Sequence, residues 1–196
     1  NRILAKVYHT ILFMPYFISW IIVAYVVYAF VSANGVFNQW LKALGQNTIN
    51  FYSSAQYWPF IFVFCNIWKY TGNNSIIYLA TLTGFDQELY EAAAIDGAVP
   101  RQQLWNIVLP MMAPSITINV ITTTIAGFKA YELPFLITRG QPGKSTLLIT
   151  QRIFFYGFED YDYGLGSALA VFLLLIIAGI SLIQLIYLRK REDIYG

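Results

Sequence analysis

Residues Glu88 to Pro110 read ELYEAAAIDGAVPRQQLWNIVLP, the one long polar stretch with helical character in a chain that is 58% hydrophobic. Asp86 stands where the first helix needs a cap, Glu88 and Glu91 load its opening turns, and Gly97 can close it. Pro100 then suits the first turn of a second helix, with Arg101 behind it. Two short helices are therefore predicted to meet at a corner, the first over about 86–97. The small side chains of Ala92, Ala93 and Ala94 let a helix backbone approach a partner closely, and Glu91 offers a carboxylate to a basic residue there. Gly97 permits the sharp turn that follows. Without a partner, the same residues would form an ordinary amphipathic loop.

The rest of the chain gives this corner its setting. Of 196 residues, 18% are aromatic and only 11% charged, against about 25% charged in an ordinary soluble domain. That balance points to a membrane. A net charge of +2, with no Lys/Arg run that resembles a backbone-binding patch, excludes a nucleic-acid partner. Cys65 is the single cysteine and His9 the single histidine, so neither a disulfide nor a zinc site is expected, and both residues read as packing. The chain opens at Asn1, and Arg2 and Lys6 lead straight into an apolar segment without a small-residue cleavage site. This is not a signal peptide; it reads as the middle and end of a longer membrane protein.

Four spans are predicted, at about 11–31, 58–82, 111–130 and 165–188. The first carries 21 residues without a charge, about 30 Å of helix, which matches the hydrocarbon core. Pro15 in its first turns is expected to kink it. A short amphipathic helix is expected around 39–44 in the connection that follows. The second span is interrupted by Lys69, Tyr70, Thr71, Gly72, Asn73, Asn74 and Ser75. Facing lipid, these would cost several kcal/mol, so they are expected to face protein or a water-filled cavity. The third span carries Thr122, Thr123, Thr124 and Gly127. A mixed loop over 131–163 contains a helix-like 147–155, and the last span ends in Arg189-Lys190-Arg191. The positive-inside rule then places the C-terminus, the corner, Arg2 and Lys6 in the cytoplasm.

Within that loop, Arg139 to Thr146 reads RGQPGKST and ends like a phosphate-binding loop. The phosphate loop needs a glycine five residues before Gly143, after a strand. Position 138 is threonine and no strand precedes it, so this chain is not expected to bind ATP.

The corner also carries a resemblance. Glu91-Ala92-Ala93, Gly97 and then Ile107-x-Leu109-Pro110 resemble the cytoplasmic signature of importer permeases of ATP-binding-cassette transporters. Phe13-Met14-Pro15-Tyr16 and Leu136-Ile137-Thr138-Arg139-Gly140-Gln141-Pro142 look like the carbohydrate-uptake branch, of maltose and multiple-sugar type. The resemblance implies an all-α membrane protein, the transmembrane domain of a type I importer. That family has about six spans, so the four here are expected to follow two missing ones. It makes the corner a coupling helix docking on an ATPase, with Glu91, Ala92, Ala93, Gly97, Leu109 and Pro110 as the coupling residues. The partners it implies are a second permease, an ATPase dimer that binds ATP and magnesium, an extracellular binding protein, a sugar or oligosaccharide, and lipid. No cofactor is implied in this chain, and the ATPase activity lies elsewhere.

In such permeases the solute crosses between the two subunits, along the helices before and after the coupling corner. Carried over, this places Lys69, Tyr70, Asn73, Asn74, Thr123, Gly127 and Phe128 on the pathway. Hydroxyl-rich ligands need such donors, acceptors and aromatic faces. Lys69 has two further readings, an ion pair with the partner subunit or snorkelling; unpaired in the cavity, it would favour an anionic sugar. Three other functions compete. An importer for a non-sugar solute fits the same residues. An ion-coupled transporter would show intramembrane carboxylates, and the four spans contain none. A membrane enzyme would have to use Glu159, Asp160 and Asp162, a cluster that reads as a solvated turn.

Overall fold

The computed structural model describes the backbone of residues 2–195 and the side chains of residues 7–188. Among these, every regular element is helical. Two compact units result, 1–72 with 129–175 and 73–128 with 176–196.

The first unit opens with a correction. The predicted single span over 11–31 is two helices, α1 (Arg2–Phe17) and α2 (Trp20–Val31), broken at Ile18-Ser19. Pro15 removes one amide from the ladder of α1, and the Ile18 amide closes a tighter turn on the Pro15 carbonyl at 3.2 Å. Ser19 then caps α2 by accepting from the Ile22 amide at 3.4 Å. The amphipathic helix expected near 39–44 is α3 (Val36–Ala43). Its Asn38, fully buried, ties the connection to α4 in place: its amide nitrogen donates to the Ser32 and Ile49 carbonyls at 3.0 and 2.9 Å, and its oxygen accepts from the Ile49 amide at 2.8 Å.

α4 (Trp58–Thr83) runs for 26 residues, about 39 Å, straight through the polar run from Lys69 to Ser75. The interruption read from the sequence is one of composition and not of backbone. The core of the first unit gathers Val23, Val27, Phe51, Trp58, Cys65 and Leu133. Leu133 belongs to α9 (Glu132–Ile137), which packs on α2. Sequence reading placed these residues in the mixed loop over 131–163; Pro134 does not prevent the helix, because at the third position of a short helix a proline loses no intrahelical bond. The helix-like stretch expected at 147–155 is α10 (Ile149–Phe154), continued by a wide π turn over Phe155–Glu159.

The second unit holds the corner. α5 (Gln87–Ile95) and α6 (Pro100–Gln103) are joined by the turn at Gly97. A π turn over Leu104–Val108 leads into α7 (Leu109–Met111) and α8 (Ala113–Phe128). The wide turn has a cause in Pro110, which lacks an N–H and whose ring crowds the carbonyl four residues back. α11 (Tyr163–Tyr195) extends beyond the predicted 165–188 at both ends.

Among the described residues, three stretches are long and apolar enough to cross a membrane: Trp20–Ala43, Ala113–Ile137 and Tyr163–Leu188. α4 has the length, but its polar middle keeps it outside that set. Residues such as Ile183 and Leu174, more than 60% exposed along α11, give it an outer surface suited to lipid. The basic residues used for orientation, Arg2, Lys6, Arg189, Lys190 and Arg191, lie outside the described side chains.

Candidate functional site

The corner is built from its caps. Asp86 accepts from the Glu88 amide at 3.0 Å and starts α5. At the other end the Ala98 amide reaches the Ala93 carbonyl at 2.9 Å and the Gly97 amide the Ala94 carbonyl at 3.1 Å, with Gly97 at φ +80°. This pair of bonds is a Schellman closure, and its left-handed residue is one a side chain would strain. Val99 then donates its amide to the Gln102 side chain at 2.9 Å, which starts α6. Between these ends Glu91, Ala92 and Ala94 are exposed, Ala93 is half-buried, and Ile95 is 86% exposed. Glu91 keeps one oxygen on Gln87 Nε2 at 3.0 Å, an i, i+4 pair. Leu109 and Pro110 are half-buried and follow the π turn. The result is a capped helix with a carboxylate and an apolar side chain standing clear of the chain.

Lys69, expected on the pathway, is held by backbone oxygens. It is 5% exposed, and its ammonium donates to the carbonyls of Pro15 at 3.3 Å, Tyr16 at 3.1 Å and Ile18, while lying 5.1 Å from the centre of the Trp20 ring. These carbonyls lie where α1 ends and α2 has not begun; Pro15 also accepts from the Ile18 amide, and the cation supplies both donors and charge to a helix C-terminus. Gly72, one turn on, faces the same helix: an added Cβ would stand 2.1 Å from the Leu12 carbonyl oxygen. Cys65, Lys69 and Gly72 thus form the buried face of α4. Tyr70 is half-buried, edge-on to Tyr16 and tilted against Trp20, each at 6.1 Å. Asn73 and Asn74 are half-buried further along α4.

On α8, Thr123, Gly127 and Phe128 are exposed, and nothing lies within 4 Å of where a Gly127 Cβ would be. Thr123 donates to Asn119 Oδ1 at 3.0 Å. Asn119 was not singled out in the sequence, yet it is buried, and its amide nitrogen has no partner among the described residues. Nearby, Gln184 of α11 donates to Thr124 Oγ1 at 2.9 Å, and its own oxygen, like Ser181 Oγ, is buried and unpartnered. The signal was present: Asn119 and Thr123 are i, i+4 in an apolar run, and Gln184 is the one amide in the last span. Such polar atoms inside a membrane helix pair mark a polar seam.

Comparison with known proteins agrees with these elements. The family described as binding-protein-dependent transport system inner membrane component matches residues 1–192. The sn-glycerol-3-phosphate transport system permease protein UgpA of Yersinia enterocolitica is 29% identical over 189 residues, 95% of this chain and 64% of that protein. The trehalose/maltose transport system permease protein MalF of Thermococcus litoralis is 31% identical over 159 residues, 81% of this chain and 54% of that protein. The chain therefore spans between half and two thirds of these relatives. Among solved structures, a bacterial alginate ABC transporter in complex with an alginate pentasaccharide-bound periplasmic protein aligns with TM-score 0.87 and 28% identity, over 98% of this chain and 67% of the matched one.

Proposed function

Because this chain belongs to the family of inner membrane components of binding-protein-dependent transport systems, we propose that it is the permease subunit of an ATP-driven importer for a sugar or oligosaccharide. The observation that carries this reading is the family match over 1–192 together with the capped, outward-standing helix α5. Maltose, trehalose and alginate appear in the names of similar proteins, which supports a saccharide. The glycerol phosphate named for UgpA supports the second reading, a non-sugar polyol or its phosphate.

In this reading the partners are a second permease, an ATPase dimer that binds ATP and magnesium, and an extracellular binding protein. α5 docks on the ATPase through Glu91, Ala92 and Ala93; the Gly97 turn and the Leu109-Pro110 joint pass its movement into α8. Closure of the ATPase thereby shifts the helices around the solute, a rigid-body change of access. The corner and the C-terminus lie in the cytoplasm. Asn73, Asn74, Thr123, Gly127 and Phe128 line the pathway, whereas Lys69 and Tyr70 position α4 against the α1–α2 break. The test is reconstitution of the full transporter in proteoliposomes, with uptake of labelled maltotriose, tri-galacturonate and glycerol 3-phosphate measured. Uptake should require ATP on the α5 side and binding protein on the other; uptake driven by an ion gradient without ATP would overturn the reading.

A further inference from the structure

The stretch RGQPGKST, which fails as a nucleotide loop, forms one wall of a cavity of about 250 Å³. This is slightly below the roughly 300 Å³ at which drug-sized pockets begin, a size suited to one sugar ring. Arg139, Lys144 and Arg152 line it against a single carboxylate, Asp160, with Phe155 and Tyr156 as an aromatic wall. Within the described residues none of the three cations forms an ion pair. Arg139 is oriented by the Phe135 ring, 5.4 Å from its guanidinium.

The loop that presents these cations is held from inside. Thr138 and Thr146 are both buried; Thr138 donates to the Pro134 carbonyl at 2.8 Å, and Thr146 lies 2.8 Å from Thr138 Oγ1 and 2.7 Å from the Gln141 carbonyl. Across this clasp Arg139 and Lys144 hold left-handed backbone, φ 47° and 65°. Residues with side chains seldom adopt it unless their surroundings enforce it, and such positions gather at binding sites. Placement adds weight. In the orientation given above, four Lys or Arg lie in the outer connections, and three of them line this one cavity.

We infer that this cavity binds an anionic saccharide, one carrying a carboxylate or a phosphate, on the outer side of the permease. Two guanidinium forks match either oxyanion bidentately, Lys144 adds a mobile charge, and the aromatic wall takes the apolar side of the ring. An acidic protein face would need the cations but not a concave aromatic wall. The inference rests on the importer reading, since only there does this loop meet the incoming solute.

The experiment is a titration of tri-galacturonate onto the full permease assembled with its partner subunits in lipid nanodiscs, without binding protein. Binding should weaken about tenfold in the Arg139→Gln, Arg152→Gln double variant, fall with added salt, and weaken less in the corresponding double lysine variant, which keeps the charges and loses the forks. Galacturonate should displace the probe if the site prefers carboxylate, inorganic phosphate if it prefers phosphoryl; displacement by neither would overturn the inference. So would an unchanged affinity in the glutamine variant, or maltotriose binding as well as tri-galacturonate. Loss of affinity for the binding protein alone, with tri-galacturonate binding intact, would overturn it in favour of a protein-docking face. ATP hydrolysis by the same preparation, stimulated or not by loaded binding protein, reports separately on the importer reading.

Discussion

The ammonium of Lys69 stands 3.1 Å from the carbonyl oxygen of Tyr16, more than fifty residues earlier in the chain. A charge in an apolar span therefore serves the backbone of another helix. Replacing Lys69 with Met takes the ammonium donor from the part-buried carbonyls of Tyr16 and Ile18, while Pro15 keeps the Ile18 amide, a loss of about 1–3 kcal/mol. The transporter complex should lose thermal stability in detergent, and uptake of neutral and acidic oligosaccharides should fall together. A selective loss of acidic substrates would place Lys69 on the solute path instead.

Gly72→Ala acts on the same pair of helices by steric means. A methyl group 2.1 Å from the Leu12 oxygen forces α1 off α4, an overpacking cost of about 1–3 kcal/mol or more. The variant should show reduced folded yield by size-exclusion chromatography. Gly127→Ala, with open space around it, should be neutral for yield, while a bulky Gly127→Trp should block uptake without loss of protein if α8 lines the pathway.

Charge reversal at Glu91 tests coupling. Glu91→Arg changes an exposed residue whose side chain, among the described residues, makes its one polar contact with Gln87, so the subunit should fold and reach the membrane at normal levels. ATP hydrolysis should lose its stimulation by loaded binding protein. Normal transport by this variant would remove Glu91 from the coupling surface. Gly97→Ala strains a left-handed position by about 1 kcal/mol and should give a milder form of the same defect.

Asn38→Ala removes three hydrogen bonds from a fully buried amide and should cost about 2–3 kcal/mol. Limited proteolysis of the connection between α3 and α4 checks it: cleavage near 44–50 should accelerate.

What the sequence made legible follows from how local the cause was. The start of α5 at Asp86, its closure at Gly97 and the second start at Pro100 are each set by residues within a turn of the feature, and all three were readable. The break between α1 and α2 was not. Pro15 announces a kink, but the carbonyls at the break are met by Lys69, distant in the chain, and no local signal names that partner. The same distance hides the partners of Lys69: composition identifies a buried cation but not what it touches. Asn119 and Gln184 were missed because an uncharged amide scarcely alters the apolarity of its span, whereas packing brings it beside another polar group.

The carbonyls that hold Lys69 belong to every amino acid alike, so the lock has side-chain identity on one side only. Substitutions at positions 15, 16 and 18 change the shape of the receptor without deleting its oxygens, and no acidic residue need change in step with the lysine. A genetic search for compensating mutations of Lys69→Met should therefore return changes on α4 or at Trp20, or glycine and proline substitutions that reshape the α1–α2 break, and not a charge swap. For this lysine, covariation across related sequences would be silent about a contact that three bonds make plain.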